Sequence, residues 1–343
     1  MRPDRLTRNR RPLIALGVLA ACAITTGAAV PAYAGPAAPA ATMSRPASRH
    51  PVPRHTASPN APVSGRAVAG ARYGAAATRA AGPAATHFLQ LHRTMVAEVR
   101  AASRGTSARH AASSAAELHR WWGSFPGTNS GPGVTATQSI SASLRLTDPN
   151  DILYAPTMTP ANNSCIEVVT VHTTTTPQIW AWDWCKYIRP VAVVNVTAAF
   201  MKAYTIIANG RTAYTTEDVQ TNAKTNTWTA YLFNYQTGSW DRLYTQAGTD
   251  QSGLSFGWDM FEFYSSTNPA TGSTYVCGDL QKAGTRIESS NISIRHDGTW
   301  TPANSHDSSW NPSAHPAPSS YKCPDIRFSI VQPNSDWLVH VAR

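Results

Sequence analysis

Hydrophobic and polar residues alternate along the chain from Trp121 onward, in short runs separated by Gly, Pro, Asn and Thr. Alternation with a period of two predicts β-strands, and no convincing helical pattern lies between the runs. The predicted strands are 134–146, 166–172, 178–187, 191–196, 200–209, 213–221, 227–235, 240–246, 258–265, 287–295, 327–331 and 337–341. Short strands at this spacing predict an all-β fold, an antiparallel β-sandwich spanning residues 121–343.

The first 120 residues have a different texture. Residues 35–85 consist of Ala, Pro, Arg, Ser and Gly with almost no large apolar side chain, which predicts a disordered segment. Apolar residues then recur at helical spacing from Phe88 to Val99, so we expect a helix over 86–102 and further Ala-rich helix up to 119. Residues 35–120 are therefore interpreted as a propeptide with a helix near 86–119. A cell-wall linker is the alternative.

The chain begins with the three parts of a secretory signal peptide. Residues 1–11 are rich in Arg, residues 12–30 are small and apolar, and residues 31–34 end in an Ala-x-Ala pattern. Polar residues dilute the apolar stretch too much for a membrane anchor, so we expect cleavage after Ala34. No later segment has the sequence of a membrane span. The predicted product is a secreted, extracellular protein without a membrane partner.

The net charge of +10 suggests a polyanion partner, but the positive charge is not evenly distributed along the chain. Residues 1–34 carry +4, residues 35–120 carry +9, and residues 121–343 carry −3. The predicted β-domain is slightly acidic, which argues against a nucleic-acid partner. Its histidines are dispersed and it has no phosphate-binding or dinucleotide-binding motif, so neither a metal nor an organic cofactor is predicted.

Four cysteines lie outside the predicted signal peptide: Cys165, Cys185, Cys277 and Cys323. An even number in an exported chain predicts two disulfides, with three possible connectivities. The runs 165–172 and 178–185 flank a five-residue loop, which predicts an antiparallel hairpin whose paired residue numbers sum to 350. This register puts Cys165 opposite Cys185 and leaves Cys277 to pair with Cys323.

Glutamate is rare in the predicted β-domain, and two of its four glutamates have unusual neighbours. Glu167 interrupts an aliphatic strand, and Glu262 stands between Phe261 and Phe263. Such a carboxylate either points to solvent or faces a groove. In a groove, desolvation raises its pKa, which makes it a candidate catalytic acid.

The same hairpin register places Glu167 opposite Asp183, beside a strand that presents Trp180, Trp182 and Trp184 on one face. Three tryptophans on one face are costly to expose to water and suit the binding of extended ligands. We therefore expect the three tryptophans and Asp183 to line a substrate-binding groove. The alternative is a core edge with two solvated carboxylates.

Three stretches of the chain resemble, in the same order, the secreted neprosin-type glutamic peptidases. They are GVTATQSI at 133–140, IEV at 166–168, and the Trp-rich segment 226–262, which ends in WDMFE. The similarity covers roughly residues 121–265. The chain departs from the family pattern at Met260 and Phe261, where the family has small Gly residues before its second glutamate.

This resemblance implies a β-sandwich with an acidic groove, made as an inactive precursor, with Glu167 and Glu262 as the catalytic pair. The implied enzyme is a monomeric acid endopeptidase that acts on protein or peptide substrates at roughly pH 3 to 5. Two other functions stay open. One is a glycoside hydrolase that uses a carboxylate pair. The other is a non-catalytic carbohydrate-binding β-sandwich that stacks sugars on exposed tryptophans, namely Trp180, Trp182, Trp184, Trp228 or Trp240.

Overall fold

A computed structural model describes residues 65–103 and 117–343, and side chains are placed for 65–90 and 117–343. Its α-helices are α1 (Ala75–Ser103), α2 (Ala198–Tyr204) and α3 (Tyr275–Ala283). Its strands are β1 (Arg72–Tyr73), β2 (Leu118–Pro126), β3 (Gly133–Ser139), β4 (Ile152–Thr159), β5 (Ile166–His172), β6 (Gln178–Asp183), β7 (Arg189–Asn195), β8 (Thr205–Ala208), β9 (Arg211–Asn222), β10 (Thr227–Asn234), β11 (Ser239–Gln246), β12 (Trp258–Ser265), β13 (Arg286–His296), β14 (Thr299–Pro302), β15 (Ser308–Asn311), β16 (Ile326–Gln332) and β17 (Asp336–Val341).

Two antiparallel sheets pack face to face. The eight-stranded sheet has the order β1-β7-β6-β5-β4-β12-β2-β15, and the nine-stranded sheet contains β11-β10-β9-β3-β13-β17-β16 with β14 beside β13 and β8 beside β9. Alternation along β5 shows why they pack: Ile166 and Val168 join the core between the sheets, whereas Val169 and Val171 face outward. The predicted antiparallel β-sandwich is confirmed.

Helix α1 covers the outward face of the eight-stranded sheet. The side of the helix that meets the sheet begins with buried alanines spaced four residues apart, which allow a close approach: Ala77, Ala81 and Ala85. Phe88 follows on the same side and is fully buried. Gly82 has a left-handed φ of 68° before Pro83, so the helix is kinked at this point. The outward face of the sheet is therefore shielded by a segment of the same chain.

The N-terminal part differs from the sequence prediction in three ways. Helix α1 begins at Ala75 rather than at residue 86, and residues 65–74 contribute β1 instead of being disordered. Residues 118–119 belong to β2 and not to a helix, so the predicted boundary at 120 falls inside a strand. The predicted signal peptide, residues 35–64 and residues 104–116 lie outside the described residues.

Several elements of the β-domain were missed or misassigned from the sequence. The segment 200–209, predicted as one strand, is mostly α2 followed by β8. The hydroxyl of Thr197 accepts a hydrogen bond from the Phe200 N–H and thereby caps the start of α2. Strand β4 and helix α3 were not predicted. The omission of β4 matters most, because β4 lies between β5 and β12.

Both predicted disulfides are present, Cys165–Cys185 and Cys277–Cys323. The hairpin register on which the pairing was argued is nevertheless wrong by one residue. Glu167 lies opposite Trp182, so paired residue numbers sum to 349 instead of 350. A slip of one residue exchanges the faces of a strand. Glu167 therefore shares its face with the tryptophans of β6.

Candidate active site

The candidate site lies on three adjacent strands of the eight-stranded sheet, β5, β4 and β12. Glu167 on β5 and Glu262 on β12 flank β4, and neighbouring strands are about 4.8 Å apart. Both side chains lie on the face that α1 covers, and the residues are only 1% and 4% exposed. The fold thus brings the two glutamates singled out from the sequence to one buried face.

Four donors surround the carboxyl group of Glu167. Trp258 Nε1 donates to Oε1 at 2.9 Å, and the hydroxyl of Thr157 donates to the same oxygen. Trp184 Nε1 donates to Oε2 at 3.1 Å, and Tyr154 Oη approaches it at 3.5 Å. These donors come from β4, from β12 and from the turn after β6. The carboxyl group is therefore held in one orientation.

Burial, and to a smaller extent the nearby charge of Glu262, raise the pKa of Glu167 to about 8. The hydrogen bonds from Thr157, Trp258 and Trp184 act in the opposite direction and do not outweigh the loss of water. Glu167 consequently carries a proton at neutral pH and can donate it.

Glu262 has a different environment, because a histidine contacts its carboxylate. His119 Nε2 and Tyr264 Oη both lie within hydrogen-bond distance of Oε1, at 2.6 and 2.9 Å. The imidazole ring also stacks on the Tyr264 ring, with centroids 4.1 Å apart and planes 6° apart. Both contacts fall on the same oxygen, so one side of the Glu262 carboxyl group is held by an imidazole and a phenol. The two carboxyl groups are thus chemically unlike.

The space above the pair is filled by Phe88 of α1. Its ring stacks on Tyr154 at 4.3 Å and meets Trp182 and Tyr264 edge-on at 5.0 and 5.3 Å between centroids. The two tyrosines are the residues that donate to Glu167 and to Glu262, respectively. Phe88 therefore blocks the approach to both carboxyl groups.

A second contact ties α1 to the sandwich beside the site. His87 Nε2 lies 2.9 Å from one carboxylate oxygen of Glu117 and 3.1 Å from the other. Burial raises the pKa of Glu117, although the hydrogen bond and charge of His87 counteract this. Glu117 immediately precedes β2, which carries His119. Helix α1 and the strand that carries His119 therefore meet through the pair His87 and Glu117.

The tryptophans predicted as binding platforms are not exposed. Trp180 and Trp182 are fully buried beneath α1, and Trp228 is fully buried in the core between the sheets. Trp240 is also buried, and Trp184 contributes its N–H to Glu167. Trp184 is only half-buried, whereas the other four rings present no surface on which sugars could stack in this form of the chain. These four therefore do not support the carbohydrate-binding alternative.

Asp183 does not lie opposite Glu167, and its predicted place in the groove is wrong. Its carboxylate accepts hydrogen bonds from the backbone N–H groups of Cys185 and Lys186, at 2.8 and 2.9 Å. It therefore stabilises the turn that follows β6. Its facing partner on β5 is Ile166.

The sequence analysis missed four residues of the site, namely Tyr154, Thr157, His119 and Trp258. Tyr154 and Thr157 were missed with β4. His119 was placed at the end of a helix, whereas it lies in β2, which pairs with β12; the segment Leu118–Pro126 has no clear alternation that would have predicted this strand. The pairing of His119 with Tyr264 is a tertiary contact that the structure alone provides.

In the part of the chain that the structure describes, no group of three or more His, Cys, Asp or Glu side chains is arranged to hold a metal ion. Over the same ranges, no helix has both the length and the apolar character needed to cross a membrane.

Comparison with known proteins gives matches among solved structures only. No family model and no curated protein matches the chain, so the resemblance to neprosin-type peptidases stays a prediction. Scytalido-glutamic peptidase is similar in two structures, one with a peptide-based transition state analog and one with a transition state analog inhibitor, at 11% identity with TM-scores of 0.37 and 0.35. SCP-B, a member of the Eqolisin family of peptidases in a complex with the tripeptide Ala-Ile-His, is similar at 10% identity with a TM-score of 0.33. Each match covers 66% of this chain and 100% of the other. At these scores, the function of this chain has to be derived from its own site.

Proposed function

We propose that this chain is the precursor of a secreted endopeptidase in which Glu167 and Glu262 hydrolyse peptide bonds as an acid and a base. The supporting observation is the unlike pair on one covered face. Glu167 has a pKa raised to about 8 and holds a proton, whereas Glu262 accepts hydrogen bonds from His119 and Tyr264. Environments that separate two carboxyl groups in this way are how enzymes assign acid and base roles.

In the proposed reaction, Glu262 takes a proton from a water molecule while the water oxygen attacks the peptide carbonyl carbon. Glu167 gives its proton to the carbonyl oxygen, which neutralises the charge that develops there. When the carbon–nitrogen bond breaks, the proton on Glu262 passes to the leaving nitrogen. The new carboxyl group returns a proton to Glu167. The products are a carboxylic acid and an amine, and both glutamates regain their initial states.

Helix α1 occupies the face that carries Glu167 and Glu262, and this supports a polypeptide substrate. Phe88 packs against three aromatic rings beside the two carboxyl groups, and the preceding part of α1 is buried along the same face. The face thus already accommodates polypeptide, with an aromatic side chain inserted next to the reactive groups. A peptide substrate would have to displace α1 from this position.

Helix α1 would make the chain an inactive precursor, and acid would favour its release. Protonation removes the charge of Glu117, and the raised pKa of this group makes that happen at a less acidic pH than for an ordinary carboxyl. The ion pair with His87 is then lost. The net charges of the two segments also favour release in acid. Residues 35–120 carry +9 and residues 121–343 carry −3, so the two segments attract each other while the carboxylates are ionised. As carboxylates protonate, that attraction weakens.

The test is hydrolysis of a denatured protein by the full chain after incubation at pH 3 to 8, for the wild type, Glu167→Gln and Glu262→Gln. Each Gln variant should lose about 100- to 10,000-fold in rate, the usual contribution of a catalytic acid or base. Glu288→Gln is the matched control, because Glu288 is a buried glutamate paired with Arg211 on the other sheet. Wild-type rates in both catalytic variants would overturn the proposal. Cleavage of polysaccharide but not of protein would favour the glycoside hydrolase instead.

A further inference from the structure

Resting on the proposed function, we infer that His119 is a positioning residue that holds Glu262 as the ionised member of the pair. His119 Nε2 lies 2.6 Å from Glu262 Oε1, the shortest contact that the site makes with that carboxylate. A charge-assisted bond of this length favours the ionised form of the acceptor. His119 thereby decides which of the two carboxyl groups acts as the base.

The imidazole is oriented as well as close. Its ring lies parallel to the Tyr264 ring at 4.1 Å, and the hydroxyl of that tyrosine donates to the same oxygen of Glu262. His119 and Tyr264 are also direct cross-strand partners on β2 and β12. Ring stacking and strand pairing therefore fix the imidazole relative to the carboxylate from two directions.

Other titratable groups surround this contact on each neighbouring element. Tyr154 on β4 and Glu167 on β5 lie on the same face, and the charge of Glu262 raises the pKa of both. Glu117 precedes β2, and His87 approaches it from α1. Of these, His119 is the group that bonds Glu262 and can carry a positive charge. A positive charge on His119 therefore favours a negative charge on Glu262, whereas the neighbouring carboxyl groups of Glu167 and Glu117 disfavour it.

This role limits where a precursor can be cut. Leu118, His119 and Arg120 pair with Ser265, Tyr264 and Phe263 on β12, and β2 lies between β12 and β15. Removal of these residues would strip an inner strand of the sheet and remove the donor to Glu262. Processing that keeps an active site must therefore leave Leu118, His119 and Arg120 in the active chain.

The experiment compares His119→Ala and His119→Gln with His296→Ala in the full chain. His296 is the matched control, because it pairs with the buried Asp307 at 3.3 Å with similar exposure and lies outside the site. The readouts are kcat and KM on one peptide between pH 3 and 9, a thermal melt of each variant, and the N-terminal residue of the processed protein.

For His119→Ala we expect kcat to fall about 10- to 100-fold with KM within about twofold, and the acid limb of the pH profile to move up by about 1 to 2 pH units. His119→Gln keeps an N–H donor without the charge, so it should recover part of kcat. The acid limb of its pH profile should lie between the limbs of the wild type and of His119→Ala. His296→Ala should match the wild type in kcat and in the pH profile. The processed chain should still contain Leu118 and His119.

An unchanged pH profile and kcat in both His119 variants would overturn the inference, as would an active form that begins after His119. If His119→Ala proves unfolded in the melt, His119→Gln still decides the question through its profile. The proposed function is judged separately. It fails if Glu167→Gln and Glu262→Gln keep activity, whereas the His119 inference alone fails if those two lose activity and the His119 variants do not.

Discussion

Glu167→Gln should change how the stability of the full chain depends on pH. The pKa of Glu167 rises from the ordinary value of 4.5 to about 8 in the folded chain, chiefly through burial. The folded state then binds the proton more tightly than the unfolded state does. Stability is therefore unaffected by this group below about pH 4.5 and falls as pH rises toward 8.

The size of the effect follows from the two pKa values. Each pH unit between them costs about 1.4 kcal/mol, so the wild type loses about 4 kcal/mol through Glu167 between pH 5 and pH 8. The glutamine variant has no proton to lose at this position. Any change that the amide makes to the surrounding hydrogen bonds is the same at every pH. It therefore changes the difference in the free energy of unfolding between the two proteins by a constant amount and does not affect its dependence on pH.

The assay is urea unfolding followed by tryptophan fluorescence at pH 5, 6, 7 and 8, with the free energy of unfolding compared between variant and wild type. The difference should increase in favour of Glu167→Gln by about 4 kcal/mol across this range. Asp325→Asn is the control, because Asp325 is about half exposed and lies outside the site. A flat difference for Glu167→Gln as well would refute the reasoning that this carboxyl is protonated by burial.

Three further outcomes are expected. Phe88→Ala removes the ring that packs on Tyr154, so it should weaken the docking of α1 by about 3 kcal/mol and make the chain active at a higher pH. Leu89→Ala, at the neighbouring, partly buried residue, should have a smaller effect on both. Cys185→Ser opens a disulfide with a sequence separation of 20 and should lower the free energy of unfolding by about 3 kcal/mol, as measured in urea. Trp258→Phe removes a donor that lowers the pKa of Glu167, so the alkaline limb of activity should move up by about 0.7 pH units, and a downward shift would contradict the proposed acid role.

The hairpin of β5 and β6 shows how far local pattern can reach. The sequence predicted both disulfides and the existence of both strands, although β6 ends at Asp183 and not at residue 187. Its register argument assumed a symmetric five-residue loop, 173–177, whereas Val171 pairs with Gln178 and six residues lie between them. Strand β6 ends at Asp183, so Cys185 lies in the following turn and still bridges Cys165 with 5.1 Å between the Cα atoms. The one additional residue between the paired positions Val171 and Gln178 was enough to exchange the partner of Glu167.

Helix α1 was harder to predict from the sequence than the β-sandwich. Residues 75–85 are mostly alanine and small residues, and composition alone gives such a segment no core of its own. Its helix is stabilised by the apolar face of β5 to β7, a tertiary contact that no local pattern contains. The same limit explains why the two glutamates could be named from their neighbours but their shared face could not. It depends on β4, a strand interrupted by Pro156 that lacks a clear alternating pattern.

The segment before α1 has a consequence for the edges of both sheets. Arg72 and Tyr73 pair with β7, and Ala67 bridges Arg242 on β11, so one short stretch covers the last long strand of each sheet at the same end of the sandwich. Backbone N–H and C=O groups left bare on a sheet edge pair readily with other strands. Loss of this stretch together with α1 would open two adjacent edges at once. In the described form, the segment therefore leaves fewer backbone groups at these two edges free to pair with another chain.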